Sequence, residues 1–166
     1  SAPLRDDLEL VIQHCQQSLQ ANPGFPDTYV TLAKALTEKG RLDEAKAHLG
    51  TAIRLNPTNA ETHEILAEIQ HRQGRVAEAI TEYQAALKLN PDWQEVLNNL
   101  AWVLATHPSP EVRNGPEAVR LAARACSLTG RTNLWLLSTL AAAYAEAGDY
   151  AQAIAAAQET RRLAAA

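Results

Sequence analysis

The chain has little of what several classes of protein need. Its 166 residues include two cysteines, one phenylalanine and no methionine. Cys15 and Cys126 alone cannot form the disulfide framework of a small secreted protein. Valine and isoleucine are few, whereas alanine, leucine, glutamate, glutamine and arginine are abundant. This composition favours helices over strands.

The chain also lacks positive charge in excess, since its formal net charge is -4. A surface that binds nucleic acid needs a basic excess to displace counterions from phosphates, so we expect no nucleic-acid partner. The longest mostly apolar run, residues 134–145, is too short to cross a bilayer. No signal peptide is visible, and a start at Ser1 without methionine suggests a processing point or an expression boundary. The compartment, cytoplasm or periplasm, stays open.

No residues in the sequence have the spacing of a catalytic or metal site. The glycines are spread along the chain and form no phosphate-binding loop, and no Cys or His pair has metal-ligand spacing. His63 and His71 lie two helical turns apart, whereas a metal-binding pair on a helix lies one turn apart. We therefore expect no enzyme activity, no metal and no cofactor in this chain.

Several residues recur at an interval of thirty-four. Asn-Pro pairs occur at 22–23, 56–57 and 90–91, and glycine occurs at Gly40 and Gly74. Between these marks the apolar residues follow helical spacing, so each row of the repeat predicts two helices. The glycine is expected to end the first helix in the left-handed conformation, and the Asn-Pro pair is expected to end the second.

Two capping boxes are predicted where a new row begins. Thr58 with Glu61, and Asp92 with Glu95, have the spacing at which a side chain caps the first turn of a helix.

The pattern resembles the tetratricopeptide repeat, a signature of about thirty-four residues with a large anchor, leucine, a small residue and an aromatic, then alanine, an aromatic, alanine and proline. In the first full row these places are filled by Tyr29, Leu32, Ala33, Leu36, Ala45, Leu49, Ala52 and Pro57. In the second row they are filled by His63, Leu66, Ala67, Gln70, Ala79, Tyr83, Ala86 and Pro91. The resemblance implies an all-α fold, a right-handed superhelix of antiparallel helix pairs whose concave side is lined by the first helices.

This resemblance covers nearly the whole chain and predicts its division. Residues 1–23 match only the second helix of a row, so we expect a half-repeat cut from a longer protein. Full repeats are predicted at 24–57, 58–91, 92–130 and 131–166, which together form one domain. The third repeat contains five extra residues within THPSPEVRNGPE, which are either a contact site or a tolerated structural variant. The surrounding sequence is similar to a repeat variant common in bacterial proteins, which implies a bacterial source.

The resemblance also implies which residues bind a partner, because outward-facing residues of the first helices grip a peptide or a partner's helix in this family. The candidate partner-binding residues are Lys34, Glu61, Glu64, Glu68, Arg72, Asn98, Asn99, Trp102 and Trp135. The further outward places, in chain order, are Asp27, Val30, Thr31, Thr37, Glu38, Ile65, His71, Glu95, Ala105, Thr106, Ser138, Thr139, Ala142 and Glu146. The acidic second row disfavours a clamp for C-terminal carboxylates, and only Asn99 fits an asparagine ladder.

Trp102 is the strongest anchor candidate, because aromatic side chains contribute much of the energy of interfaces. Packing of this indole against the neighbouring row is the alternative. For the stripe of Glu61, Glu64 and Glu68, a solvated surface and recognition of a basic or mixed partner both remain open.

Together these observations predict a non-catalytic scaffold that binds a protein or peptide in a concave groove. One alternative is self-assembly through an open N-terminal half-row and an apolar C-terminal edge around Ile154, which would give a homo-oligomer. Another is a domain that places the substrate of a larger enzyme. The identity of the partner cannot be read from the sequence.

Overall fold

The structure, a computed structural model, describes the backbone of residues 2–165 and the side chains of residues 7–165. Within this range all the regular elements are α-helices: α1 Ala2–Ala21, α2 Pro26–Glu38, α3 Leu42–Leu55, α4 Ala60–Arg72, α5 Val76–Leu89, α6 Gln94–Thr106, α7 Gly115–Leu128, α8 Leu134–Glu146 and α9 Tyr150–Ala164. The all-α fold class predicted from the sequence is confirmed. Ser1 and Ala166, the outer limits of the first and last predicted segments, lie outside the described residues.

The chain divides into two compact units. Unit 1, Ser1–Leu89, contains α1 to α5, with α1 against α2, α2 against α3, and α4 against α5. Unit 2, Asn90–Ala166, contains α6 to α9, with α6 against α7, α8 against α9, and α8 also against both α6 and α7. The boundaries of the repeats stay a prediction. Each predicted repeat contains one helix pair: α2 with α3, α4 with α5, α6 with α7, and α8 with α9.

Local signals end the helices where the sequence predicts. Gly40 and Gly74 both adopt φ of +75°, the left-handed conformation that favours glycine. The following amides return to the helices, since Arg41 N donates to Leu36 O at 2.9 Å and Arg75 N to Gln70 O at 2.8 Å. The second helices α3 and α5 end directly before the Asn-Pro pairs. Both predicted kinds of helix end are therefore confirmed.

The two predicted capping boxes are wrong. The residue that caps α4 is Asn59, whose side chain accepts a hydrogen bond from Glu61 N at 3.0 Å. Thr58 is occupied one step earlier, because its amide and hydroxyl donate to Asn56 Oδ1 at 3.2 and 3.0 Å. Helix α6 begins after Trp93 without a side-chain cap. At the start of α4, Asn56 therefore accepts the hydrogen bonds from Thr58 and Asn59 caps the helix, so Thr58 lies outside the helix.

Small residues allow paired helices to approach each other. Ala33 of α2 and Ala45 of α3 are fully buried, and so are Ala101 of α6 and Ala118 of α7. An alanine at facing places brings two backbones close together, so that larger neighbours such as Leu36 and Leu49 fill the remaining space. This packing buries apolar residues of both helices in each of these pairs.

The extra residues of the third pair form an ordered connection between α6 and α7. Arg113 Nη1 donates to the carbonyl oxygens of His107 at 2.9 Å and Pro108 at 3.1 Å. Arg113 Nε lies 3.0 Å from Glu146 Oε1 at the end of α8, an ion pair without hydrogen-bond geometry. The amide of Asn114 donates to Leu104 O at 2.8 Å. These contacts favour the structural interpretation of the insertion.

The insertion also brings the first residue of α7 against the end of α8. Gly115 is buried, and a Cβ added there would lie 2.5 Å from the backbone nitrogen of Ala147 and 2.6 Å from its Cα. Since the neighbour is backbone, it cannot rotate away as a flexible side chain could. Glycine is therefore required here by the close approach of two chain segments.

We expect Gly115→Ala to lower the free energy of unfolding by about 1–3 kcal/mol through overpacking. Gly50→Ala is the matched control, because Gly50 lies inside α3 and an added Cβ would meet nothing closer than Arg54 Nη1 at 3.9 Å. That control should gain about 0.5–1 kcal/mol from helix propensity. Urea unfolding followed by circular dichroism measures both, and equal gains in the two variants would contradict this account of Gly115.

Candidate functional site

The first helices of the pairs in unit 1 present charged side chains that are already paired. Lys34, the ninth residue of α2, forms an ion pair with Glu61, the second residue of α4. Both side chains remain about half exposed, at 51% and 43%. Lys34 and Glu61 therefore satisfy each other, and an exposed pair of this kind contributes little to stability.

The remaining charges of this face are balanced in a similar way. Arg72 forms an ion pair with Glu68 one turn earlier on α4, and its Nη1 also lies 3.4 Å from Thr37 O on α2. Glu64 is half-buried and takes part in an interaction of its own. The acidic stripe predicted from the sequence is thus largely offset by neighbouring cations. Whether these residues bind a partner stays a prediction.

In unit 2 the equivalent helix places are occupied by two tryptophans. Trp102 is the ninth residue of α6 and Trp135 is the second residue of α8, the same places that Lys34 and Glu61 occupy on α2 and α4. Both indoles are exposed, Trp102 at 46% and Trp135 at 54%. Helices α6 and α8 pack directly against each other. The structure therefore places an exposed tryptophan on each of two packed helices, at the places that form an ion pair in unit 1.

A stripe of exposed or half-buried residues continues along each of these helices. The tryptophan face, as we name it, comprises Glu95, Asn99, Trp102 and Thr106 on α6 with Trp135, Ser138, Ala142 and Glu146 on α8. These residues follow helical spacing, which keeps them on one side of their helix. The only charged residues of α6 and α8 are Glu95 and Glu146. The face thus combines apolar aromatic area with negative charge and lacks any cation on its two helices.

Six residues that were expected on the outer sides of the first helices are instead buried: Val30, Thr37, Ile65, Asn98, Ala105 and Thr139. Asn98 was expected on the exposed side of α6, but its side chain is fully buried, with 0% exposure. Neither its Oδ1 nor its Nδ2 has a hydrogen-bond partner among the described residues. Asn99, the next residue, is half-buried and lies on the tryptophan face. Of the two asparagines expected on this side, only Asn99 is therefore accessible, and Asn98 is not available to a partner in this structure.

The contribution of Arg113 to this surface was missed in the sequence. Arg113 compensates the charge of Glu146, which lies at the far end of the tryptophan face. Glu95 at the other end has no hydrogen bond or ion pair with any side chain in the range 7–165. The contact of Arg113 with Glu146 joins residues far apart in sequence and inside an irregular loop. No periodic signal could have indicated it.

The two cysteines have no arrangement that would make them reactive. Both are free and buried. Burial raises the pKa of each thiol, with a smaller opposing effect of Arg131 on the pKa of Cys126. A raised pKa leaves little thiolate at neutral pH, so both are weak nucleophiles.

Strong ion pairs elsewhere on the surface belong to helix ends and helix joins. Arg131, in the turn between α7 and α8, forms hydrogen bonds with Glu159 of α9 and lowers the pKa of that carboxyl group below its ordinary value. Arg120 has the same effect on the pKa of Glu117 within α7. No group of three or more His, Cys, Asp or Glu residues in the described part of the chain could hold a metal ion. No helix there is long and apolar enough to cross a membrane.

Comparison with known proteins gives a consistent family and fold. Two family models, both described as the tetratricopeptide repeat, match residues 30–92 and 134–159. No curated protein sequence matches the chain. Among solved structures, the MamA protein is similar with a TM-score of 0.81 and 19% identity over 97% of this chain and 85% of MamA.

Two further solved structures are also similar. YrrB, described as a TPR protein with an unusual peptide-binding site, matches with a TM-score of 0.77 and 16% identity over 95% of this chain and 78% of YrrB. PilF of Pseudomonas aeruginosa matches with a TM-score of 0.68 and 25% identity over 83% of this chain and 60% of PilF. The likeness to MamA and YrrB, at such low identity, establishes the fold alone.

The buried amide of Asn98 generates a stability prediction. Replacing it by leucine, which is similar in size and apolar, removes two unpaired polar atoms from the core. We expect Asn98→Leu to raise the free energy of unfolding by about 1–3 kcal/mol, the usual cost of an unsatisfied buried group. Asn99→Leu serves as the control and should change it by less than about 0.5 kcal/mol, because surface substitutions usually have small effects. Thermal unfolding measures both, and a loss of stability in Asn98→Leu would mean that the amide is paired in solution.

Proposed function

Since this chain belongs to the tetratricopeptide repeat family, we propose that it is a non-catalytic interaction module that binds a peptide or partner protein at the tryptophan face. The observation that carries this proposal is the exposure of Trp102 and Trp135 on two packed helices. An exposed indole is costly in water, and tryptophan is among the residues that contribute most to interfaces.

Comparison of the two units supports the choice of this face. On α2 and α4 a partner would have to separate the ion pair between Lys34 and Glu61, which recovers little energy in exchange. On α6 and α8 a partner would cover two indoles without breaking an ion pair between them. YrrB, which has a similar fold, is described as having a peptide-binding site, and this is consistent with peptide binding here.

A pull-down from cells of the source organism tests this proposal with matched variants. Trp102→Ala combined with Trp135→Ala should lose the proteins that the unmodified chain captures. The control combines Phe25→Ala with Leu55→Ala, which removes two large apolar side chains of unit 1 that are 55% and 45% exposed and lie off the face. This control should retain those proteins. Identical captured sets for both double variants, with helical content preserved by circular dichroism, would rule out the tryptophan face.

Self-association is a second candidate function, favoured by an apolar stripe on α9. Tyr150 and Ile154, one turn apart on the same side of α9, are 68% and 58% exposed, and α9 packs against α8. A second copy of the chain that covered this stripe would bury apolar area that is otherwise in water.

Sedimentation velocity across a concentration series tests self-association. If α9 forms the interface, Ile154→Glu should shift the chain towards a monomer, because a buried unpaired carboxylate opposes association. Gln152→Glu adds the same charge at an exposed site on α9 that lies roughly 160° around the helix from Ile154, and it measures the effect of charge alone. A chain that remains monomeric at the highest attainable concentration would eliminate this candidate.

A further inference from the structure

The charge and chemistry of the tryptophan face indicate which side chain it accepts, an inference that rests on the proposed function. Glu95 and Glu146 are the only charged residues on α6 and α8, and Arg113 compensates Glu146. Glu95 is exposed and is left without a side-chain partner among residues 7–165. The face therefore presents one uncompensated carboxylate together with two exposed indoles.

We propose that the tryptophan face binds an extended peptide segment through arginine side chains, which pair with Glu95 and stack on Trp102 or Trp135. A guanidinium group is planar and permanently charged. It can form two parallel hydrogen bonds with a carboxylate, and it can also stack on the face of an indole. Arginine is thus the natural side chain that satisfies both kinds of group on this face.

Other occupants leave part of the face unsatisfied. A segment rich in aspartate or glutamate would bring like charge to Glu95, with no cation on α6 or α8 to offset it. A purely aliphatic segment would cover the indoles but would bury the Glu95 carboxylate without a partner, which is costly. The chemistry of the face therefore disfavours both.

The geometry of α6 sets the spacing of the contacts. Glu95 and Trp102 are two turns apart on one side of the helix, a distance of roughly 10 Å at 1.5 Å per residue. A peptide segment extended in the polyproline II conformation rises about 3.1 Å per residue with three residues per turn, so residues three places apart lie on the same side of it and about 9 Å apart. A pair of arginines three places apart can engage the carboxylate with one side chain and an indole with the other.

Binding of labelled peptides to the full chain, measured by fluorescence anisotropy, tests this proposal. The probe is a capped decapeptide of glycine and serine with arginines at its fourth and seventh places. Companion peptides have citrulline, lysine, leucine or glutamate at both places. Citrulline is the sharpest comparison, because it has nearly the shape of arginine without the charge. We expect the citrulline peptide to bind about tenfold more weakly, or more, since charge-assisted contacts are lost.

Variants of the chain identify the groups responsible. Glu95→Gln should weaken the arginine peptide by roughly five- to tenfold and leave the citrulline peptide unchanged. Glu111→Gln removes another exposed carboxylate of unit 2, which lies in the insertion, and should have little effect. The double variant Trp102→Ala with Trp135→Ala should weaken the binding of both the arginine and the citrulline peptide.

Equal binding of the arginine and citrulline peptides, or equal effects of Glu95→Gln and Glu111→Gln, would overturn the arginine proposal. Binding of the leucine peptide alone, dependent on the tryptophans, would also overturn it and would leave the proposed function standing. If no peptide binds while the captured cellular proteins still depend on Trp102 and Trp135, the arginine proposal again fails alone. Loss of tryptophan dependence in the pull-down would remove the proposed function as well.

Discussion

The close approach of paired helices is the constraint on which the rest of the structure depends. It requires small residues at facing places, and Ala33 with Ala45, and Ala101 with Ala118, meet this requirement at full burial. No helix pair of this kind can bury its whole apolar surface alone, so pairs stack and share a core. The small residues of the interior therefore recur from pair to pair. The outer stripes differ more, and there a few side chains decide what each part of the chain can bind.

Because the sequence repeats, equivalent places on the first helices of the two units can be compared. The ninth residue of one first helix and the second residue of the next are an ion pair in unit 1, Lys34 with Glu61, and two tryptophans in unit 2. These places are equivalent in their helices, although α6 and α8 pack more closely against each other than α2 and α4 do, and their side chains differ in chemistry. Unit 1 presents charges that satisfy each other, whereas unit 2 presents apolar area beside one free carboxylate. A binding role follows more directly from the second arrangement, because its groups gain contacts and lose none.

Features determined by neighbours in sequence could be predicted, and features determined by packing could not. Gly40 and Gly74 end helices through their own backbone conformation, and the Asn-Pro pairs act in the same local way. The first capping box failed because Asn59 rather than Thr58 accepts the hydrogen bond from Glu61 N, and in the second the Asp92 side chain accepts from Arg124 instead of the helix; spacing does not reveal either choice. Asn98 was expected outside, since a single residue of shift on α6 separates the exposed stripe from the core.

The insertion contributes to the tryptophan face by setting the charge at one of its ends. Arg113 is held by the carbonyl oxygens of His107 and Pro108, and this positions its guanidinium group beside Glu146. Without that contact the face would have a free carboxylate at both ends, and a cationic side chain could pair with either one. With it, Glu95 alone remains uncompensated. A loop that departs from the repeat thus polarises the face, because it neutralises one carboxylate and leaves the other free.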